Sequence, residues 1–190
     1  MGGAAFIFAG RAEPGVVVHT SGPTSIIFGE LDGQVTERTQ RLLECCQQAG
    51  LAAEISESIK TVLWAKFAFI CAQAGMTAAV RLPIGEIRTV DAAWVGFQRL
   101  VQEVCVVAEA DGVPLPPAAQ ERALALAQSV EPGSFSSLHD DLVAGRRMEL
   151  EALHGLVVRR ATEHGVPVPM SEAVYAILKP WALRNQRPGR

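Results

Sequence analysis

No glycine-rich GxGxxG turn follows a strand pattern anywhere in these 190 residues, and there is no GxxxxGK loop, HExxH helix or Cys/His set at zinc spacing. The first two absences remove the backbone cradle that holds a pyrophosphate, and the last two leave no metal site to assign. Charge of one sign is scarce as well. Twenty acidic against 17 basic residues give a net charge of −3, with a pI near 5.8, and no block of like charge occurs. The electrostatic footprint of a nucleic-acid binder is therefore missing. The four cysteines, Cys45, Cys46, Cys71 and Cys105, form no CxxC pair. The adjacent Cys45 and Cys46 could bridge only in a strained ring, so reduced thiols in a cytoplasmic protein are expected. The apolar run at 4–9 has no basic leader and meets Arg11 at once, which does not fit a secretory signal. Phe6 stands where N-myristoylation needs Ser or Thr.

What is present is apolar. Hydrophobic residues make up 49% against 19% charged, and the mean hydropathy is +0.21, which excludes a disordered chain and predicts one or two domains with a packed core. The stretch 63–80 is long enough to span a bilayer, but it carries Lys66 and Gln73 inside it. The cost of an intramembrane lysine favours a buried core helix over a membrane span.

Along the chain, 4–8, 15–20 and 25–28 read as three short strands set apart by Glu13-Pro14-Gly15 and Ser21-Gly22-Pro23. After Asp32-Gly33 the period becomes helical, with Leu42, Leu43, Cys46 and Ala49 on one face and Gly50 as the stop, and a short strand is expected around Ala53-Glu54-Ile55. From Ser56 onward the pattern is helical, which places a domain boundary there: a β-rich segment 1–55 and a helical segment 56–190. Trp94, Phe97, Val101, Val104 and Ala108 form one stripe of a helix over about 90–110. Further helices are predicted from Pro116-Pro117 to about Val130, and after a cap within 134–137. Another runs through Leu150, Leu153, Val157 and Ala161 to Gly165, and the last starts at Pro169 or Ser171 with Val174, Ile177, Leu178 and Trp181 inward. The Arg-containing tail after Asn185 is expected to fray.

Two side chains stand out for chemistry. Lys66 lies inside an apolar run, on a helical side shared with Ile70, Gln73 or Ala74, and Thr77. Either its stem lies along the core while its ammonium reaches water, or burial depresses its pKa so that it can donate a proton. Glu149, after Arg146-Arg147, reads as a carboxylate in the first turn of a helix, where the dipole favours it. The four scattered histidines read as surface or capping residues.

These residues also carry a family resemblance. Leu63-Trp64-Ala65-Lys66-Phe67, Thr77-Ala78, Gly85-Glu86-Ile87-Arg88, Ser136-Ser137-Leu138-His139-Asp140, Glu149, Arg159-Arg160-Ala161 and His164-Gly165-Val166-Pro167-Val168-Pro169 follow one another as in the C-terminal part of the 2-dehydropantoate 2-reductase (ketopantoate reductase) family. The chain resembles that family from about Ala4 to Trp181, and Glu13-Pro14-Gly15-Val16-Val17-Val18-His19 and Phe28-Gly29-Glu30 resemble the last strands of its Rossmann domain.

The resemblance implies a mainly α fold. An all-helical domain of the 6-phosphogluconate dehydrogenase C-terminal type would follow a small α/β remnant of a Rossmann domain. It implies NADPH-dependent reduction of a 2-oxo acid, ketopantoate to pantoate in pantothenate biosynthesis. Lys66 would be the catalytic proton donor. Glu149 would approach both the lysine and the cofactor, and Ser137 would bind the substrate carboxylate. Ser134, where the reductases commonly carry an asparagine, would be a second substrate-binding position. Ile70, Ala74 and Ile84 replace asparagines that grip the substrate's polar groups, each a loss of about 1–3 kcal/mol of polar recognition. The expectation is thus a truncated relative forming the substrate-side, dimerising half. NADPH would not be bound by this chain alone, and a separate Rossmann-domain chain is a possible partner. The competing expectation is a non-catalytic dimerisation or ligand-binding module. A homodimer is expected because incomplete sheet edges and apolar helix faces call for a cover.

Overall fold

The computed structural model describes residues 1–186, the side chains of 8, 11 and 20–23 aside. The chain divides into two compact units, Met1–Leu63 and Trp64–Arg190.

In the first unit, β1 (Gly2–Glu13) and β2 (Val16–Gly29) form an antiparallel hairpin closed at Gly15, whose φ is +84°. The Ser21-Gly22-Pro23 turn expected from sequence does not split the second strand. Phe6 pairs with Ser25 while Phe8 pairs with Ser21, so an irregularity in the ladder absorbs the turn-forming residues and β2 continues through them. Next comes α1 (Glu37–Gln48), and β3 (Ala52–Ile55) then lies parallel to β2, with Ser25 opposite Ala52 and Phe28 opposite Ile55. Parallel pairing requires a crossover, which α1 supplies.

The start of α1 is closed by a capping box. The Thr39 N–H donates to Thr36 Oγ1 at 3.4 Å, and the Thr36 N–H to Thr39 Oγ1 at 3.0 Å. Beside it the buried Glu30 carboxylate accepts from Thr36 Oγ1 at 2.8 Å and pairs with Arg38 and the N-terminal ammonium. The Arg38 hydrogen bond, helped by Thr36, lowers the Glu30 pKa to about 2. Gly29 cannot be larger, since a Cβ there would lie 2.0 Å from the Ser56 carbonyl oxygen.

The second unit is helical: the body of α2 (Ile59–Val80), then α3 (Ile84–Thr89), α4 (Asp91–Ala110), α5 (Ala118–Ser129), α6 (Ser137–Val143), α7 (His154–His164) and α8 (Pro169–Asn185). By length and composition α2 could cross a membrane, but 56% of its apolar window is buried inside the protein. Its Ala68, Cys71 and Ala72 share one core with Phe97, Leu100, Val101 and Val104 of α4, Val157 and Ala161 of α7, and Val174 and Leu178 of α8. All four cysteines are free, and burial pushes the Cys71 thiol pKa up.

The predicted inward face of α8 needs one correction. Ile177 is 55% exposed, whereas Val174 and Leu178 are buried. The buried row is Ser171, Val174, Leu178 and Ala182, and Ile177 points about 100° away from Leu178. Val168 gives α8 no side-chain cap. Glu103 of α4 does so instead, accepting the Met170 N–H at 2.8 Å and both the N–H and hydroxyl of Ser171 at 2.7 Å. The tail expected to fray lies, beyond Gln186, outside the described residues.

Candidate active site

Helix α2 organises the polar groups of the helical unit. Lys66 and Ile70 are half-buried on it and Gln73 and Thr77 are buried, a row spaced by four, three and four residues and hence on one side of the helix. Burial lowers the Lys66 pKa from its ordinary value, because desolvation penalises the ammonium. Along the row, Thr77 Oγ1 donates to the Gln73 carbonyl at 2.7 Å and lies 2.7 Å from Ser136 Oγ. With its one proton committed to Gln73, the Thr77 hydroxyl is the acceptor of that second bond and Ser136 the donor. Ser136 in turn accepts the His139 N–H at 3.1 Å as the N-cap of α6.

This chain of bonds docks the segment holding the two predicted substrate-side serines. Ser137, the first residue of α6, is exposed, and Ser134 is half-buried. The Ser134 carbonyl accepts the Ile84 N–H at 3.0 Å, the Pro132 carbonyl accepts the Gly85 N–H at 2.9 Å, and Arg88 donates to the Val130 carbonyl at 2.6 Å. A Cβ on Gly85 would stand 2.8 Å from the Pro132 carbonyl oxygen, so the closeness of the segment to α3 depends on glycine.

Glu149 is not in the first turn of a helix, as its sequence context predicts. Helix α7 starts at His154, and Glu149 is exposed on the preceding turn, where its carbonyl accepts the N–H groups of Ala152 and Leu153 at 3.1 and 3.2 Å. Leu150, fully buried, anchors that turn and delays the helix. Of the turn's two glutamates, Glu151 is the committed one. It pairs with Lys179 and Arg159 and accepts the Tyr175 hydroxyl at 2.9 Å, and the Lys179 hydrogen bond lowers its pKa. The Glu149 carboxylate has no partner among the described residues.

The surface reading of the histidines fails at His154, which is fully buried. A Cβ added to Gly75 of α2 would lie 2.4 Å from His154 Nε2, so the imidazole rests on that glycine and the Glu149 turn is tied to the helix that carries Lys66. Neither ring nitrogen has a well-formed hydrogen bond. Burial lowers the His154 pKa to about 4, only weakly opposed by the Cys71 backbone. Sequence reasoning missed this residue, although its neighbours Leu153, Leu156 and Val157 are apolar. It also missed the role of Ser136; Gln73, which it left as one of two residues on the Lys66 side of the helix, is buried there with its Oε1 unpaired. Among the described residues no cluster of His, Cys, Asp or Glu could hold a metal ion.

Comparison with known proteins places this arrangement. The model of the ketopantoate reductase PanE/ApbA C-terminal family matches residues 58–182. This chain belongs to the ketopantoate reductase family. It is 34% identical over 179 residues to the uncharacterized oxidoreductase YkpB of Bacillus subtilis, covering 94% of this chain and 59% of that protein. It is 38% identical over 129 residues to the 2-dehydropantoate 2-reductase of Caulobacter vibrioides, covering 68% and 44% respectively. The crystal structure of 2-dehydropantoate 2-reductase from Methylococcus capsulatus matches with a TM-score of 0.85 at 30% identity, over 97% of this chain and 59% of that one. The chain thus spans about half the length of the relatives it matches.

Of the three positions where the family resemblance implies asparagines, Ala74 and Ile84 are absorbed into the core here, at 3% and 0% exposure, while Ile70 is half-buried. The segment between β2 and α1 does not fit the pyrophosphate of a nicotinamide cofactor. It holds one glycine, Gly33; the Glu30 carboxylate stands beside it; and the N-terminus of α1 is closed by its own threonines.

Proposed function

We propose that this chain is the substrate-side half of a reductase of small 2-oxo acids, of the ketopantoate-to-pantoate type used in pantothenate biosynthesis. The supporting observation is Lys66: a lysine half-buried in an apolar helix with its pKa lowered by desolvation, on the side of α2 that docks the Ser134–Ser137 segment through Thr77. A lysine so placed holds a proton it can release to a carbonyl oxygen as that oxygen gains negative charge, and it recovers the proton from water afterwards. Ser137 and Ser134 would hold the substrate carboxylate by hydroxyl donation. Glu149, unpaired on its turn, would sit against the ammonium and the cofactor and favour the charged lysine between turnovers.

NADPH supplies hydride to the carbonyl carbon when bound. The residues described here do not build its pyrophosphate cradle, so the role assigned to this chain is confined to the substrate and its proton. In this reading the Rossmann half comes from a further polypeptide segment, and the protein works in the cytoplasm as a homodimer. A ketopantoate reductase of the same fold from Staphylococcus aureus is described as dimeric.

One observation favours a second reading, a non-catalytic ligand-binding or dimerisation module: Ala74 and Ile84, at positions where the resemblance implies substrate-gripping asparagines, are apolar core residues. The test mixes the chain with a ketopantoate reductase Rossmann domain and follows NADPH oxidation with ketopantoate and with 2-oxo acids bearing apolar tails. Turnover that requires this chain supports the reductase. Saturable binding of 2-oxo acid without turnover supports the second reading.

A further inference from the structure

Four helices of this protein end at a glycine in the left-handed region: Gly50 after α1, Gly112 after α4, Gly145 after α6 and Gly165 after α7, with φ between +66° and +78°. Glycine is the usual choice there because it has no Cβ to clash. Helix α2 ends differently. Arg81 takes the left-handed position with φ +56°, the only non-glycine residue with positive φ among those described, and that conformation is strained for an L-residue.

The guanidinium of Arg81 stacks on Trp181 of α8, 4.6 Å from the ring centroid, and that of Arg184 lies 5.3 Å from the same ring. A cation–π contact of this kind is at most enough to offset the strain at Arg81. Each cation also sits at a helix C-terminus, which the dipole favours. Neither effect accounts for two like charges sharing one indole. Neither guanidinium is ion-paired among the described residues, whereas Arg38, Arg146, Arg159 and Arg160 all have carboxylate partners. The result is a half-buried indole with two planar five-donor forks, both exposed, gathered on its ring.

We infer that Arg81, Trp181 and Arg184 form a binding site for a phosphate-type oxyanion, with Trp181 holding the two guanidiniums in place so that both donate to one tetrahedral anion. Two forks match a dianion better than the single charge of a carboxylate. The site is separate from the proposed chemistry: Arg81 lies fifteen residues beyond Lys66, roughly 22 Å along the axis of α2.

The test is NMR observation of the Trp181 indole N–H in the full chain, assigned by its disappearance in Trp181→Phe. Inorganic phosphate is titrated at constant ionic strength against chloride, with acetate in a parallel series. The expected result is a saturable shift with phosphate at millimolar concentration, with acetate at least several-fold weaker. Arg81→Gly and Arg184→Gln should each weaken phosphate binding about five-fold or more, since each removes one charge-assisted fork. Arg81→Gly suits the test because glycine accepts the left-handed backbone without strain, and unchanged indole and amide dispersion would show that the fold is kept. No saturable shift, an equal response to acetate, or undiminished binding in both arginine variants would overturn the proposal and leave the cluster as helix-end packing.

Discussion

Removing the Glu103 carboxylate should destabilise the helical unit more than most single substitutions in the protein. Its two oxygens accept three donors, the Met170 N–H and the N–H and hydroxyl of Ser171, and they are the cap that α8 otherwise lacks. In Glu103→Ala these donors lose a charged acceptor. Met170 is half-buried and can turn to water, but Ser171 is fully buried and cannot. With hydrogen bonds to charged groups contributing about 1.5–3 kcal/mol each, and partial recovery at Met170, the expected loss is about 3–5 kcal/mol. Glu103→Gln keeps one acceptor oxygen and turns an amide N–H toward the remaining donor, so about 2 kcal/mol should go. For a chain of this length each kcal/mol corresponds to about 2–4 °C in Tm, which puts Glu103→Ala roughly 10 °C below the parent. Urea unfolding followed by circular dichroism measures both variants, with the midpoint moving and the slope unchanged. A loss below about 1 kcal/mol for Glu103→Ala, or equal losses for the two variants, would refute the view that this carboxylate caps α8.

Other outcomes follow from the same kind of geometry. Gly75→Ala should cost about 2–3 kcal/mol because the new methyl meets a buried imidazole rather than a flexible side-chain end, and in a His154→Ala background the cost should shrink in a double-mutant cycle. His154 is neutral in the folded state with its pKa lowered to about 4, so its contribution is full above the unfolded value near 6.5 and is lost as pH falls from there toward 4, by roughly 3 kcal/mol. His154→Leu should flatten that part of the stability–pH curve. Glu30, with its pKa lowered to about 2, supports the first unit above its unfolded value of 4.5 and loses that support as pH falls from there through 2. Glu30→Gln should therefore lower stability at neutral pH and remove the dependence between those values in a denaturation series.

The helices were legible where one stripe of large apolar residues decided them. Phe97, Val101 and Val104 are fully buried as their spacing predicts, and Gly112 and Gly165 stop α4 and α7 as left-handed caps. What the sequence hides are features made by two distant segments. Glu103 reads as one more polar residue in an amphipathic helix, and only the fold brings it to Ser171. His154 looks like an ordinary polar residue until the glycine on which it packs, 79 positions earlier, is known. The β2 bulge is hidden for another reason: Ser21-Gly22-Pro23 is a sound turn signal, and pairing of β2 with β1 on both sides of it overrides it. Within the candidate site, Lys66 was visible as a charge inside an apolar run. The Thr77–Ser136 bond that docks the serine segment was not, because each residue alone looks like a helix-interior threonine or a routine cap.

The proton that Lys66 is proposed to deliver is tested by the turnover of Lys66→Ala once a ketopantoate reductase Rossmann domain is supplied. In that variant 2-oxo acid reduction should fall by at least about a hundred-fold, the scale of a lost general acid, while the far-ultraviolet circular dichroism and unfolding midpoint stay close to those of the parent. The alkaline limb of the parent's pH–rate profile should lie below the ordinary lysine range, because burial lowers the Lys66 pKa. Undiminished turnover in Lys66→Ala, with the fold intact, would show that Lys66 is a core residue with no part in the chemistry.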